Sequence, residues 1–314
     1  MMVREEGRVL GAAPMLRGRL LFDEPMARHT SWRVGGPAQH FFEPADLDDL
    51  ATYLRGLPES EPIFWLGLGS NLLVRDGGIR GSVILTAPGL GGIERIAQAM
   101  LRVEAGVPCA KAARFSADAQ LEGVEFFTGI PGTIGGALAM NAGAFGGETW
   151  PIVAAVETID RQGAVRVRAP SDYRVGYRSV QGPAGEWFVA AHLALTPGDG
   201  AAAKARIKEC LRLRAKTQPT GVASCGSVFR NPSGDHAGRL IESCGLKGYE
   251  IGGAHVSRKH ANFILNGGSA TAADIEALIS HVRAVVEREC GVRLMPEVHI
   301  VGEPAAHLPG RSDD

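Results

Sequence analysis

Two glycine-rich stretches hold the residues best suited to cradle an anionic ligand. Gly67-Leu68-Gly69-Ser70-Asn71 follows the apolar run Pro62-Ile63-Phe64-Trp65-Leu66. Glycines so placed let the chain turn sharply and gather amide N–H groups around a phosphate, and Ser70 and Asn71 add short polar groups. Leu72 and the downstream Asp76 continue the same loop. A plain strand-to-loop turn fits these residues as well. The second stretch is Gly129-Ile130-Pro131-Gly132-Thr133-Ile134-Gly135-Gly136, which runs on to Asn141, Gly143 and Ala144. Pro131 stiffens a turn and Gly132 permits dihedrals closed to other residues. Thr133 offers a hydroxyl to a phosphate or ring atom, and Gly135 and Gly136 admit a flat ligand against the backbone. A tightly packed, small-residue start of a helix is the alternative. Two such loops in one chain favour a diphosphate dinucleotide. Neither the G-x-G-x-x-G nor the G-x-x-x-x-G-K-[ST] pattern occurs, so Rossmann and P-loop proteins are poor models for the cradle.

The elements that must hold these loops can be read from composition and periodicity. The chain has 314 residues, 45% of them hydrophobic and 21% charged, with a formal net charge of -1. That is globular composition, long enough for two or three domains. Nothing in the bulk charge points to a nucleic-acid or membrane partner. Glycine is the over-used residue, at 42, clustered at 67–92, 129–147 and 221–268 without a period. Five cysteines, odd in number and without a C-x-x-C pair, argue against a disulfide framework or a zinc site and suit free thiols in a reducing cytoplasm. His255 and His260 lack metal-ligand spacing on a helix, so no metal is expected. No apolar run approaches membrane-span length, and the start lacks a signal-peptide core.

Five segments follow: a loose tail over 1–21, a first block over 22–87, a second over 88–217, a third over 218–302 and a second tail over 303–314. In the first block Asp46 N-caps a helix whose apolar face is Leu47, Leu50, Ala51 and Leu54. In the second, Pro108 opens a helix through Leu121, strands follow at VAAVETID, VRVRA and WFVAAHLAL, and AAAKARIKECLRLRAK is an amphipathic helix. The third carries helices at AGRLIESCGL and from Thr271, where Asp274 takes the capping-box position and Gly291 ends the helix, with strands at ANFILN and VRLMPEVHIVG. The unequal runs of strands and helices indicate an α+β class.

The ordered set GLGSNLLVRDGG, GIPGTIGGALAMNAGAFGGE, YRVGYRS, GSVFRNP, AGRLIESCGLKG, HANFILN and PEVHIVG closely resembles the UDP-N-acetylenolpyruvoylglucosamine reductase (MurB) family, from about His29 to Gly302. The resemblance implies a vanillyl-alcohol-oxidase-like FAD fold of two FAD-holding subdomains, the first two blocks, and a substrate-binding third domain. It implies bound FAD, with NADPH as hydride donor and the UDP-amino-sugar enolpyruvyl ether as acceptor, both using one cleft. The FAD loops it implies are Gly67 to Leu72 and Gly129 to Ala144. Ser31-Trp32-Arg33-Val34-Gly35-Gly36 also matches a flavin-domain stretch, which brings in Arg33 and Gly35. The implied product is UDP-N-acetylmuramate, a peptidoglycan precursor, made by a cytoplasmic monomer.

The same resemblance implies the catalytic set. Hydride addition to the enol ether puts negative charge beside its carboxylate, so the site needs a cationic or hydrogen-bonding group and a proton donor. Arg178 matches the family's catalytic arginine, Ser227 its proton donor and Glu297 its third catalytic residue. Read without the family, each has an ordinary explanation: a surface arginine, a turn serine beside glycine and an outward acid on an edge strand. A desolvated Glu297 is expected in its acid form, able to donate to the developing enolate. Tyr177, Lys216, Gln218, Asn231, His260 and Asn262 are the expected substrate contacts. Cys225 is read as packing, since no base accompanies it. The stretch from Ser179 to Gln218 has no tyrosine, which marks the shorter type without the tyrosine-bearing lid insertion. Two other readings stand beside this one: a sugar or alcohol oxidase of the same superfamily, and a catalytically silent flavin- or nucleotide-binding regulator.

Overall fold

The computed structural model describes residues 15–305. Most of both expected tails therefore lies outside the described residues. The inner end of the first tail is a correction: Arg19–Pro25 is strand β1, and Arg19, Leu20 and Leu21 already pair with Glu43, Phe42 and Phe41.

The first block is a four-stranded sheet in the order β1, β2 (Pro37–Glu43), β5 (Ile79–Leu85), β3 (Ile63–Leu66). β2 and β3 both run parallel to β5, and helix α1 (Leu47–Gly56) makes the crossover that a parallel arrangement needs. Alternating side chains bury both faces. Phe42 and Ile84 meet Leu50 and Leu54 of α1, while Phe41 and Val83 meet Met26, Leu66 and Val74 of β4 (Leu72–Val74). Asp46 caps α1 as expected, accepting from the Asp49 amide at 3.0 Å. The buried Asp49 carboxylate instead takes the amides of Arg17, Gly18 and Ala45, and so anchors the incoming chain.

The second block is a five-stranded antiparallel sheet in the order Val165–Arg168, Val153–Asp160, Glu186–Ala194, β7 (Met100–Glu104), β6 (Ile93–Ala97). Helices α2 (Cys109–Asp118), α3 (Ile134–Met140) and α4 (Gly200–Thr217) share its core. α2 stops at Asp118, three residues before the expected Leu121, because Gln120 adopts φ +58 and Leu121 joins a short strand pair with Pro197.

The third block places α5 (Ala237–Ser243) and α6 (Ala272–Cys290) on a small antiparallel sheet of Glu250–Ile251, Ala254–Val256 and Ile264–Asn266. Ile275, Leu278, Ile279, Val282 and Val286, spaced at helical period, face its core. The capping box of Thr271 and Asp274 and the left-handed Gly291 (φ +68) bound α6 as expected. The last expected strand is broken. Pro296 bridges Phe229 of the same block, whereas His299–Val301 runs parallel to β4 in the first block. Trp32, Val34 and Leu73 of the first block also lie in the third block's core.

Candidate active site

The site is built where the loops after β3, before α3 and before α5 meet. In the first loop Gly69 has φ +59, and a β-carbon there would overlap the His29 carbonyl oxygen. The Ser31 amide donates to the Gly69 carbonyl at 3.0 Å, so the 31–36 stretch braces this loop. In the second loop Thr133 N-caps α3 through the Gly136 amide. The two loops touch: a β-carbon on Gly67 would sit 2.6 Å from Thr133 Oγ1, and one on Gly132 would sit 3.5 Å from Ser70 Oγ. Gly135 lies against Ala105, and its amide donates to the Ala105 carbonyl. Gly129 must lack a side chain because Phe145 and Ala144 cover it. Pro131 is exposed on the rim. Gly35 has φ +128 beside Val74, and Arg33 is exposed.

A cavity of about 300 Å³ opens beside the paired loops, with Gly67, Thr133, Gly135 and Gly136 in its wall. Trp65 and Tyr173 line it too, and Trp65 Nε1 and Tyr173 Oη are buried without a hydrogen-bond partner among the described residues. Burial pushes the Tyr173 hydroxyl up to about 12, so it remains a proton donor. Glycine walls, orphaned donors and the stacked Trp65–Trp187 pair suit a flat, polar, phosphate-bearing group such as FAD.

The three expected catalytic residues come from segments 119 residues apart at the extremes, and two of them touch. Arg178 donates from Nε to Glu297 Oε1 at 3.0 Å, and its two Nη atoms donate to the carbonyls of Asn141 (3.1 Å) and Gly143 (3.0 Å). Arg178 has φ +52, an uncommon conformation for a non-glycine residue, at the turn of the Arg174–Gly176 and Ser179–Gln181 hairpin. Its guanidinium lies over the half-exposed Tyr177 ring, 5.0 Å from the centroid. Ser227 sits in a segment laddered to Glu297: the Glu297 amide donates to the Val228 carbonyl at 2.7 Å, and the Arg230 amide donates to the Met295 carbonyl at 2.9 Å. Asn71 of the first loop donates to the Glu297 carbonyl at 3.1 Å. Burial raises the Glu297 carboxyl above its ordinary value, and the Arg178 and Arg230 charges oppose that without cancelling it. The single-point Nε contact explains the balance, since the rest of the Arg178 fork is committed to carbonyls.

Cys225 pins the serine segment to the first loop. Its Sγ accepts the Leu72 amide at 3.1 Å and the Ser31 hydroxyl at 3.5 Å. Buried, with its thiol pushed up to about 11 by that burial, it is an inert packing group, as the sequence suggests. The side chains of two asparagines expected at the ligand are committed to internal hydrogen bonds. Asn141, at φ +42, bonds Glu148, the Gly176 carbonyl and the Trp150 amide, and so holds the Arg178 hairpin. Asn262 clamps both backbone groups of Phe229, at 3.0 and 2.8 Å, and so holds the Ser227 segment. His260 Nδ1 accepts the Asn262 amide, and burial lowers the pKa of the ring. Asn231 caps α5 through the Ala237 amide. Lys216 is exposed at the end of α4, where the Gln218 amide closes the helix. Asp76 belongs to another element, accepting the Ala272 and Ala273 amides at the start of α6.

Sequence reasoning passed over Arg214 and Arg230, whose Nε atoms are buried without partners among the described residues. It also passed over Trp65 and Tyr173. A basic residue directly after Phe229 was the only available signal for Arg230. The aromatic part of the cavity wall has no sequence signature, because it joins Trp65 of the first block to Tyr173 and Trp187 of the second. Among the described residues no cluster of metal-ligating side chains occurs, and no helix is long and apolar enough to cross a membrane.

Fold and loops define the class. A family model described as "FAD binding domain" matches residues 38–168, and the chain is an FAD-binding protein carrying an additional C-terminal α+β domain. That domain is specific. A model described as "UDP-N-acetylenolpyruvoylglucosamine reductase, C-terminal domain" matches residues 218–301. A protein of that name from Methylococcus capsulatus is 61% identical over 305 residues, 97% of this chain and all of the other. One from Alkalilimnicola ehrlichii is 63% identical over 286 residues, 91% of this chain and 96% of the other. The crystal structure of the Thermus caldophilus protein of that name superposes with a TM-score of 0.76 at 33% identity, covering 91% and 99% of the two chains. The chain belongs to the UDP-N-acetylenolpyruvoylglucosamine reductase family.

Proposed function

We infer that the chain reduces UDP-N-acetylglucosamine enolpyruvate to UDP-N-acetylmuramate, a step in peptidoglycan precursor synthesis, with FAD bound and NADPH as reductant. The observation that carries this reading is the meeting of Arg178 and Glu297, 3.0 Å apart, with Glu297 laddered to a serine segment that Cys225 pins to the first glycine loop. Gly67 to Leu72, the loop from Gly129 to Ala144 and the 31–36 stretch hold the cofactor in this reading. Bound FAD supplies the hydride, which it receives from NADPH.

The residues do the rest. Arg178 is fixed at three points, so its positive charge is in place before substrate arrives and costs no reorganisation during the reaction. It faces the negative charge that develops beside the substrate carboxylate. Ser227 delivers a proton to that carbon, its backbone held still by Asn262 and by the ladder to Glu297. Glu297, kept protonated to higher pH by burial, donates a hydrogen bond to the developing enolate. Tyr177, Lys216, Gln218 and Asn231 contact the UDP-sugar portion, with His260 beside them. Substrate and NADPH use the same cleft in turn. The chain works as a monomer in the cytoplasm, and its five free thiols suit that compartment.

The test is direct. Purified protein shows a flavin absorption spectrum, and NADPH consumption accelerates strongly when UDP-N-acetylglucosamine enolpyruvate is added. A flavin that NADPH fails to bleach under anaerobic conditions overturns the reading in favour of an oxidase. Colourless protein favours a silent regulator.

A further inference from the structure

Two thiols outside the cleft meet at the ends of two helices. Cys244 caps the C-terminus of α5 and Cys290 is the last residue of α6. Their sulfurs are 3.6 Å apart, and Ser243 Oγ lies 4.0 Å from Cys290 Sγ. Both cysteines are partly exposed, whereas Cys109 and Cys225 are buried. α5 and α6 share one apolar core, where Leu240 and Ile241 pack with Leu278, Ile279, Val282 and Val286. That packing fixes the two backbones and keeps the thiols opposed, which makes their reaction effectively unimolecular. Each cysteine precedes a left-handed glycine, Gly245 (φ +72) or Gly291 (φ +68), with open space around it. Closing 3.6 Å to a bond of about 2 Å is then a small movement of helix ends rather than of a core. Sequence spacing, with the two cysteines 46 positions apart, gave no sign of this pair.

We propose that Cys244 and Cys290 are a redox modification site that reacts with small-molecule disulfides such as oxidised glutathione. One protein thiolate attacks a sulfur of oxidised glutathione, breaks its S–S bond and releases one glutathione thiolate. The other protein thiol, deprotonated, attacks the protein sulfur of that mixed disulfide and releases the second glutathione. Two protein thiols lose two electrons and two protons, and one glutathione disulfide gains them. The product ties α5 to α6 and cross-links most of the third block to itself. Neither sulfur touches the flavin loops or the Arg178–Glu297 pair, so the reductase reaction continues in the oxidised chain.

The experiment uses the flavin-loaded full chain, incubated with oxidised glutathione, denatured and alkylated. The expected result is three alkylated thiols of the five in the sequence. A non-reducing digest then yields a peptide linked through Cys244 and Cys290, released by dithiothreitol. Cys244→Ser and Cys290→Ser each leave a stable glutathione adduct on the surviving partner, with the flavin spectrum of each variant confirming that it folds. The unfolding midpoint rises on oxidation of the native chain and not of either variant. Five alkylated thiols in the treated native chain, or a lasting glutathione adduct on either cysteine without a cross-link, overturn the proposal. The digest of the native chain decides the matter even where a variant fails to fold.

Discussion

At the scale of single residues, the cleft divides into groups that react and groups that hold them. Glu297 is the clearest reacting group whose state depends on pH. Burial raises its carboxyl above the ordinary value. The proton-bearing form therefore persists to higher pH, and the rate of the substrate half-reaction should fall as pH rises through that raised value. Stopped-flow reoxidation of reduced enzyme in Glu297→Gln should lose this alkaline limb, with a rate lowered about 10²–10⁴-fold. Stability follows the same sign. The native state holds more protons between the unfolded and folded values, so Glu297's contribution is full below the unfolded value and is lost as pH climbs through the folded one. Ser227→Ala should slow the same half-reaction by about 10²–10⁴-fold while leaving flavin reduction by NADPH unchanged. Equal slowing of both half-reactions would remove Ser227 from the proton-donor role.

At the scale of elements, loops carry the site and helices aim it. The serine segment is irregular, yet Asn262, Cys225 and the ladder to Glu297 fix it from three sides. Asn262→Ala strips two hydrogen bonds from buried Phe229 backbone groups. It should cost about 1–3 kcal/mol, seen as a lower denaturation midpoint, and reduce kcat while the flavin spectrum stays intact. Gly69→Ala acts on the cofactor instead. Its left-handed backbone and the adjacent His29 carbonyl leave no room for a side chain. The variant should purify with markedly less flavin, measured as the ratio of visible to ultraviolet absorbance. Near-native flavin content would show that this loop can shift without loss of the cofactor. The glycine and capping signals of these elements were readable in sequence because each has a local cause. The break in the final strand was not, since Pro296 and His299 face partners in two different blocks.

At the scale of the whole molecule, the third block is locked to the first by more than contact. His299–Val301 pairs with β4, Trp32 Nε1 donates to the Ile264 carbonyl at 2.8 Å, and Asn266 returns a bond to the Trp32 carbonyl. Arg75 and Glu276 add a bidentate ion pair at 2.9 and 2.8 Å. That pair is about one-third exposed, so it contributes little beside the apolar seam. Leu73 of β4, fully buried against the third block, is the better target. Leu73→Ala should destabilise the protein by about 2–5 kcal/mol, measured by denaturant titration. It should also weaken flavin retention, because the serine segment and the first loop share that seam.

The sequence by itself determined the α+β class, most helices and the two glycine loops, and, through the family resemblance that its motif order carries, it nominated three catalytic candidates. Each of these rests on neighbouring residues, on period or on motif order. Only the tertiary structure decided that Asn141 braces the Arg178 hairpin and Asn262 the serine segment, that Asp76 caps α6, that Cys244 and Cys290 oppose each other and that the last strand crosses to the first block. These outcomes depend on which partner a polar group finds across the fold, and a hydrogen bond between residues 226 apart, such as Asn71 to Glu297, leaves no local pattern to read.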